Sequence, residues 1–233
     1  MPSSRQPCAG LNYSASAVVT PAGAPLRLRR DDNKPGEGNM STERQKLNKT
    51  TMGIKEGLPL EATGTDLEGL RRNIQQLMDL EAIKQLKHTY FRCIDTANLE
   101  ELAPLFHRDV EVHFKGGTYE WKVDGRDDYL ANIGGAFNSG TIGHHNGHQP
   151  EIQILSATEA TGIWYLADHM WQLDYKSLTT GTALYWDRYV KEDGRWLIRE
   201  TRYERLYEIN EPLDAAPTLS SHYLGVHGTK PGH

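Results

Sequence analysis

Hydrophobic side chains recur at helical intervals in the stretch from Asp66 to Asp95. They follow one another in steps of three and four residues, the spacing that places side chains on one face of an α-helix. The pattern therefore predicts one long helix with an apolar stripe that faces a core. The stripe consists of Leu70, Ile74, Leu77, Leu80, Ile83, Leu86, Tyr90 and Ile94.

A second, short helix is predicted directly after the first. Asn98 is a favourable N-cap residue, and Glu101 three positions later is the second member of a capping box. Pro104 keeps this helix short because proline lacks the N–H that the helix interior requires. Residues 126–137 favour a further helix.

From Val110 onward the polar and apolar residues alternate with period two, which is typical of half-buried strands. Gly116-Gly117 and Asp193-Gly194 are turn sequences, the second typical of a tight hairpin. Helices first and a long antiparallel meander last indicate an α+β domain. The predicted strands lie at 110–114, around Trp121 and Val123, and at 144–155, 159–175, 181–191 and 195–208.

Three segments are predicted along the chain. Residues 1–65 carry no sustained period and are rich in Pro, Gly, Ser and Thr, which predicts a disordered N-terminal extension. Residues 1–30 contain arginines and no acid, which favours an incidental tail or an over-long start; an organelle transit peptide is the alternative. The folded domain is expected at 66–208, followed by an irregular tail at 209–233.

Composition narrows the classes of partner and compartment. The formal net charge is −5, which argues against nucleic acid or an anionic membrane as the main partner. No apolar run approaches the roughly 20 residues that span a bilayer. Cys8 and Cys93 form neither a disulfide framework nor a zinc spacing. We therefore expect a protein of a reducing compartment, the cytoplasm.

Three histidines lie close together at a predicted strand start, namely His144, His145 and His148. Alternate residues of a strand face opposite sides, so His144 and His148 share one face and His145 takes the other. One strand therefore cannot direct all three at one metal ion, and no metal site is predicted. Histidines hydrogen-bonded at a sheet edge are the alternative to a catalytic histidine.

Pro150 bears on the direction of His145. In a regular strand, Ile152 and Ile154 would share the face of His148 and not that of His145. Proline cannot donate to a central ladder and often marks a β-bulge. A bulge at Pro150 would bring His145 to the same side as the two isoleucines.

Asp95 ends the apolar helix beside Ile94, and a carboxylate in such a place is costly unless it is paired. A histidine that donates one ring N–H to Asp95 would satisfy both groups and leave its other nitrogen free as a base. An exposed aspartate is the alternative. Tyr90 lies about 140° away around an ideal helix. It shares a cavity with Asp95 only if that cavity wraps the helix end; otherwise it is a core tyrosine.

Two further polar residues lie among aromatic residues on predicted strands. Asp168 shares a face with Trp164 and Met170, which indicates a pocket-lining acid with a raised pKa, or else an exposed aromatic face. Arg205 alternates with Tyr203 and Tyr207. It is placed to hold an enolate-like oxygen or a substrate carboxylate, or else to form a surface salt bridge.

Several of these segments, taken together, resemble SnoaL-like domains. They are residues 79–87 and 90–95 in the long helix, 145–152, 160–168 and 200–207. They occur in order between about 75 and 208. Within the family they are most similar to the bacterial bile-acid 7α-dehydratase and more distantly to scytalone dehydratase.

The resemblance implies a cone-shaped α+β fold in which a strongly curved antiparallel sheet wraps around the N-terminal helices and encloses an apolar pocket. It implies a cofactor-free active site formed by Tyr90, Asp95, His145, Asp168 and Arg205. It also implies a homo-oligomer, most often a trimer. Elimination of water is the expected reaction; isomerisation by the same base and non-catalytic binding are the alternatives. Five aromatic residues and one methionine near the predicted cavity favour a hydrophobic, polycyclic or terpenoid- or steroid-like substrate: Trp164, Tyr165, Met170, Trp171, Tyr185 and Trp186.

Overall fold

A computed structural model describes residues 64–230 of the chain. Helix α1 runs Leu67–Asp95, as its apolar spacing predicts. Asp66 is its N-cap, and the Asp66 carboxylate accepts a hydrogen bond of 2.7 Å from the backbone N–H of Gly69. The predicted N-terminal extension, residues 1–65, lies almost entirely outside the described residues.

The apolar stripe of α1 is buried only in its second half. From Leu80 to Ile94 the stripe residues are at most 8% exposed, whereas Leu70, Ile74 and Leu77 are 48%, 57% and 54% exposed. The prediction that the whole stripe faces a core is therefore wrong for the first turns. Helical spacing reports which side chains share a face, and within residues 64–230 no element covers this part of that face.

The short helices follow the capping signals of the sequence. Helix α2 spans Leu99–Leu102 and continues as a 3₁₀ turn, Ala103–Leu105. The Asn98 side chain accepts the backbone N–H of Glu101 at 3.1 Å, which confirms the predicted cap. The Glu101 carboxylate lies 2.6 Å from the Arg92 guanidinium instead of completing the capping box. Helix α3 spans Arg126–Ala136.

A six-stranded sheet forms the rest of the domain, and its strand order is β2-β1-β6-β5-β4-β3. All neighbouring strands are antiparallel except β1 and β6, which are parallel. The sheet is curved, and register shifts that leave extra residues on β1, β3 and β6 contribute to the bending. The α+β class is therefore confirmed. The strands are β1 Phe106–Lys115, β2 Glu120–Asp124, β3 Thr141–Ile154, β4 Glu159–Gln172, β5 Ser177–Glu192 and β6 Arg195–Pro212.

The C-terminal part of the chain is more regular than the sequence predicts. Strand β5 begins at Ser177, four residues before the predicted start. Its first residues therefore pair with the end of β6, as far as Pro212. A short helix, α4, follows at Tyr223–His227. Its Leu224 is 2% exposed, and the His222 ring lies 3.1 Å from the Thr141 carbonyl oxygen. The prediction of an irregular tail from 209 onward is therefore wrong for these two pieces.

We expect that a chain shortened to begin near residue 66 keeps its melting temperature. Asp66 caps α1 from within the remaining chain, and the buried part of the helix begins only at Leu80. Thermal unfolding followed by circular dichroism measures the effect against the full chain. Insolubility of the shortened chain, or a large drop in its melting temperature, would show that residues 1–65 contribute to the fold.

Candidate functional site

A bulge in β3 turns His145 toward the core. The pairing of β3 with β4 shifts between His148 and Glu151, and Gln149 there has a φ of 49°. His145 lies opposite Asp168, and Ile152 lies opposite Gly162. Asp168 and Gly162 are an even number of residues apart on β4, so His145 and Ile152 face the same side. The bulge predicted from Pro150 is confirmed, and so is its effect on His145.

His145 and Asp95 are in direct contact. Asp95 Oδ1 lies 2.6 Å from His145 Nδ1, and Asp95 Oδ2 lies 2.9 Å from the His145 backbone nitrogen. A carboxylate only accepts hydrogen bonds, so in the neutral imidazole it is Nδ1 that carries the proton and Nε2 that keeps a free lone pair. Within residues 64–230, Nε2 makes no hydrogen bond. The side chains of His145 and Asp95 are 12% and 22% exposed, so the contact lies at the edge of the core.

Two glycines on β3 make room for this contact. Gly143 and Gly147 stand two residues before and after His145 and therefore share its face. A Cβ on Gly143 would lie 3.1 Å from Asp95 Oδ1, and one on Gly147 would lie 1.8 Å from the Phe91 ring. The Phe91 ring is stacked over the His145 ring, with 6.5 Å between the two ring centres. The Gly-x-His-x-Gly spacing is a signal of this close approach that the sequence analysis missed.

Asp168 and Arg205 form a buried ion pair. The two carboxylate oxygens accept hydrogen bonds of 2.5 and 2.7 Å from the two Nη atoms, and the two side chains are 2% and 8% exposed. Burial lowers the pKa of Arg205, but the hydrogen bonds and charge of Asp168 outweigh burial and raise it. Asp168 therefore lies on the predicted face, but as a paired carboxylate and not as the isolated acid that the strand pattern predicts.

The pair reaches across an intervening strand. Asp168 lies on β4 and Arg205 on β6, and β5 lies between them. Gly181 of β5 stands opposite Asp168, and a Cβ there would lie 3.3 Å from Arg205 Nη1. The absence of a side chain at Gly181 lets the arginine extend over β5 to the aspartate.

Tyr90 does not touch the His145–Asp95 pair. Its hydroxyl lies 3.1 Å from the hydroxyl of Tyr129, and its ring packs edge-on against Phe91 and Tyr185. Burial raises the pKa of Tyr90 well above its ordinary value. Phe91 packs against both Tyr90 and His145 and so links the two rings.

A second buried ion pair was not expected from the sequence. Lys87 Nζ lies 2.8 Å from Asp187 Oδ2, and both side chains are fully buried. Asp187 also accepts hydrogen bonds of 2.7 Å from Tyr189 and from Thr201. The Lys87 ammonium lies 3.9 Å from the centre of the Tyr185 ring. Lys87 stands three residues before Tyr90 on α1, so the two residues lie on the same helix face. This spacing in the sequence could have indicated that Lys87 faces the core.

The other histidines of β3 face away from the site. The His144 ring stacks on His169, and the His148 ring packs against Tyr165. In the described part of the chain, no group of three or more histidine, cysteine or acidic side chains is arranged to hold a metal ion. No helix between residues 64 and 230 is long and apolar enough to cross a membrane.

The five aromatic residues and Met170 that were predicted near the cavity divide between the two faces of the sheet. Trp164, Met170 and Tyr185 lie on the face of Asp168 and His145. Tyr165, Trp171 and Trp186 lie on the opposite face, so their predicted place near the cavity is wrong. Single residues of a strand alternate between faces, and the prediction grouped neighbours regardless of parity. Phe91 and Phe137, whose rings both lie against His145, take their place.

Comparison with known proteins places this architecture among established folds. The sequence model of the SnoaL-like domain matches residues 75–202, more than half of the chain. A candidate scytalone dehydratase from Novosphingobium aromaticivorans has a TM-score of 0.54 at 23% identity, covering 64% of this chain and 97% of its own.

Two further solved structures show the same likeness. A hexachlorocyclohexane dehydrochlorinase has a TM-score of 0.56 at 17% identity, with 64% of this chain and 99% of that chain covered. An NTF2-like protein with a cystatin-like fold from Novosphingobium aromaticivorans has a TM-score of 0.50 at 18% identity, covering 60% of this chain and 90% of its own. At these identities the likeness establishes the fold.

Proposed function

We propose that this chain, which belongs to the SnoaL-like domain family, is a cofactor-independent dehydratase acting on a hydrophobic small molecule. One observation carries the proposal: Asp95 holds Nδ1 of His145 at 2.6 Å and leaves Nε2 without a partner in the described chain. A base fixed in one tautomer at the edge of an aromatic core is suited to removing a proton from carbon. A module that only binds its ligand has little use for it.

In the proposed reaction, His145 Nε2 removes a proton from a carbon next to the one that bears a hydroxyl group. The electrons of the C–H bond form a carbon–carbon double bond, and the C–O bond breaks. Asp95 stabilises the imidazolium, which returns this proton to the departing oxygen, so that the hydroxyl group leaves as water. The tyrosine hydroxyls around Tyr90 supply a hydrogen bond to the oxygen that gains charge.

The Asp168–Arg205 pair lies beside the base in this scheme, because Asp168 is paired with His145 in the β3–β4 register. Asp168 already occupies one N–H of each Nη atom. Each Nη carries a second hydrogen, so Arg205 keeps the capacity to hold an anionic or polar part of a substrate. We therefore propose that Asp168 orients Arg205, in place of the direct proton donor expected from the strand pattern.

The substrate class we propose is a polycyclic, terpenoid- or steroid-like alcohol. Aromatic rings border His145 and Arg205, namely Phe91, Phe137 and Tyr203. Such rings favour an apolar ligand with few polar groups. Two structural neighbours bear the names of eliminating enzymes, a dehydratase and a dehydrochlorinase, and this is consistent with the proposed reaction class.

An untargeted substrate screen with products read by mass tests the proposal. The protein is incubated with a library of hydrophobic alcohols, in parallel with its His145→Ala variant. Loss of one water that occurs only with the unchanged protein supports dehydration. Unchanged mass with altered retention supports isomerisation by the same base. Recovery of intact ligand alone supports a binding module and contradicts the proposed reaction.

We further propose a homo-oligomer, with a trimer favoured. Leu206, Tyr207 and Ile209, near the end of β6, are 43%, 56% and 48% exposed. Exposed apolar side chains also continue along the first turns of α1. Such surfaces need cover. Light scattering at micromolar concentration should give a multiple of the 26.3 kDa chain mass. A clean monomer mass would contradict the assembly.

A cytoplasmic location completes the proposal. Cys93 is a buried free thiol, and burial raises its pKa to about 11, which keeps it in the unreactive thiol form. A chain with one such buried thiol in its core and no disulfide in the described residues suits a reducing compartment.

A further inference from the structure

We propose that Glu208 determines the charge class of the substrate: it makes Arg205 select a neutral carbonyl or hydroxyl oxygen and reject a carboxylate. This assignment rests on the proposed function for the place of the substrate beside His145 and Arg205. It adds the charge of the substrate group that meets the arginine. Glu208 follows directly after residues 200–207, the last segment of the family resemblance.

A bulge in β6 brings Glu208 to the face of Arg205. The two residues are three apart, and in a regular strand they would point to opposite faces. The pairing of β6 with β5 shifts so that Leu206 is an extra residue, with Arg205 opposite Ala183 and Glu208 opposite Gly181. Ala183 and Gly181 are two residues apart on β5 and face the same side. Arg205 and Glu208 therefore face the same side as well.

Glu208 lies in the same row of the sheet as the base. His145 pairs with Asp168, Asp168 pairs with Gly181, and Gly181 pairs with Glu208. The four residues therefore form one line across β3, β4, β5 and β6. Arg205 extends over Gly181 and contacts the carboxylates on both sides of it.

The two carboxylates lie at both double-donor edges of the guanidinium. Its two Nη atoms form one edge, and Nε with one Nη forms the other. Asp168 accepts two hydrogen bonds at the first edge. Glu208 Oε2 lies 3.1 Å from Arg205 Nε at the second edge, and the two side chains are 7% and 8% exposed. One Nη hydrogen outside these edges suffices for a single carbonyl or hydroxyl oxygen. No edge is left for a substrate carboxylate to bind with both of its oxygens.

The charge of the site acts in the same direction. Three carboxylates belong to it, those of Asp95, Asp168 and Glu208. The guanidinium of Arg205 supplies one positive charge, and His145 is neutral while it acts as a base. A substrate carboxylate would add negative charge near Glu208 in a largely buried place, where charges interact strongly. A repulsive group of this kind discriminates between ligands as effectively as an attractive one.

Glu208 is not needed to hold the arginine. Asp168 makes both hydrogen bonds to the guanidinium, and Arg205 Nε makes none within residues 64–230. Glu208 Oε1 accepts a hydrogen bond of 3.4 Å from the side chain of Asn210, which carries no charge. Replacing Glu208 with glutamine therefore removes a charge from the site while Asp168 keeps Arg205 in place.

The experiment uses two probes of similar shape that differ in charge, 2-acetonaphthone and 2-naphthoate. Binding of each probe to the full chain is measured by equilibrium dialysis at neutral pH, where naphthoate is ionised. We expect the unchanged protein to bind the ketone about tenfold more tightly than naphthoate. Glu208→Gln should raise the affinity for naphthoate about 10–100-fold, the effect of removing one like charge near a bound anion. It should leave the affinity for the ketone nearly unchanged.

Glu204→Gln is the matched control. Glu204 also lies on β6, but it pairs with Lys115 at the surface, and its side chain is 58% exposed. The control removes the same charge from the same strand, and solvent screening should leave the affinity for both probes unchanged. Circular dichroism confirms that each variant is folded. If Glu208→Gln does not fold, the relative affinity of the unchanged protein for the two probes decides the matter alone.

Several results would overturn the inference. They are binding of naphthoate by the unchanged protein as tightly as the ketone, binding of neither probe, and no gain in naphthoate affinity in folded Glu208→Gln. An equal gain in Glu208→Gln and Glu204→Gln would also overturn it, because the gain would then reflect the net charge of the chain.

The binding measurements do not depend on turnover and so separate this inference from the proposed function. If no alcohol loses water in the mass screen while the preference for the ketone depends on Glu208, the dehydratase proposal fails and the charge selection stands. If water is lost but Glu208→Gln binds naphthoate no more tightly, the role of Glu208 fails and the dehydratase proposal stands.

Discussion

Replacing His145 with alanine is expected to lower turnover about 10²–10⁴-fold, the usual contribution of a positioned general base. The reason is the geometry of its ring: Nδ1 is held by Asp95 at 2.6 Å, and Nε2 is the free basic atom. Turnover is measured on a substrate from the mass screen, with circular dichroism to confirm folding. His144→Ala is the matched control, since His144 is adjacent in sequence but stacks on His169 on the other face of the sheet.

Asp95→Asn should also be severe while leaving the fold intact. An asparagine has the same shape but no charge, so it neither stabilises the imidazolium nor enforces the tautomer that leaves Nε2 basic. The double variant should be little slower than the slower single variant, because residues that act as one unit are not additive. Losses that multiply fully, or near-normal turnover in His145→Ala, would remove the pair from the mechanism.

Local arguments predicted the parts of the site that depend on one segment at a time. The cost of an unpaired carboxylate after Ile94 anticipated a partner for Asp95. Pro150, which cannot donate in a ladder, anticipated the bulge that redirects His145. In both cases one residue does not fit the helix or strand pattern around it, and only a few local structures can accommodate such a residue.

The order of strands in the sheet lay outside these arguments. Arg205 meets Asp168 because β6, β5 and β4 are neighbours and because Gly181 leaves space over β5. Periodicity assigns each residue a face but does not state which strand lies beside which. The same gap explains why Asp168 looked like an isolated acid. It also explains why the exposure of Leu70 and Ile74 was not predicted. The spacing of apolar residues shows which face of a helix they share, but not how far along the helix other elements pack against that face.

Replacing Lys87 with methionine is expected to cost about 3–5 kcal/mol in the free energy of unfolding, the usual effect of removing one partner from a buried ion pair. Methionine retains most of the side-chain volume but leaves the Asp187 carboxylate buried without a cation. Tyr189 and Thr201 would still donate to that carboxylate, but neither neutralises its charge. Urea unfolding followed by circular dichroism gives the free energy for each variant.

The control lies on the same helix. Lys84 pairs with Glu81 at 2.6 Å, but the two side chains are 37% and 73% exposed, so Lys84→Met should change stability by less than about 0.5 kcal/mol. The double variant Lys87→Met with Asp187→Asn should lose clearly less than the sum of the two single variants, because the second change removes the charge that the first left unpaired. A loss below about 1 kcal/mol in Lys87→Met, or full additivity in the double variant, would mean that the buried pair does not hold its two charges in place. The lysine would then owe its position to the aromatic rings of Tyr90 and Tyr185, which its ammonium also contacts.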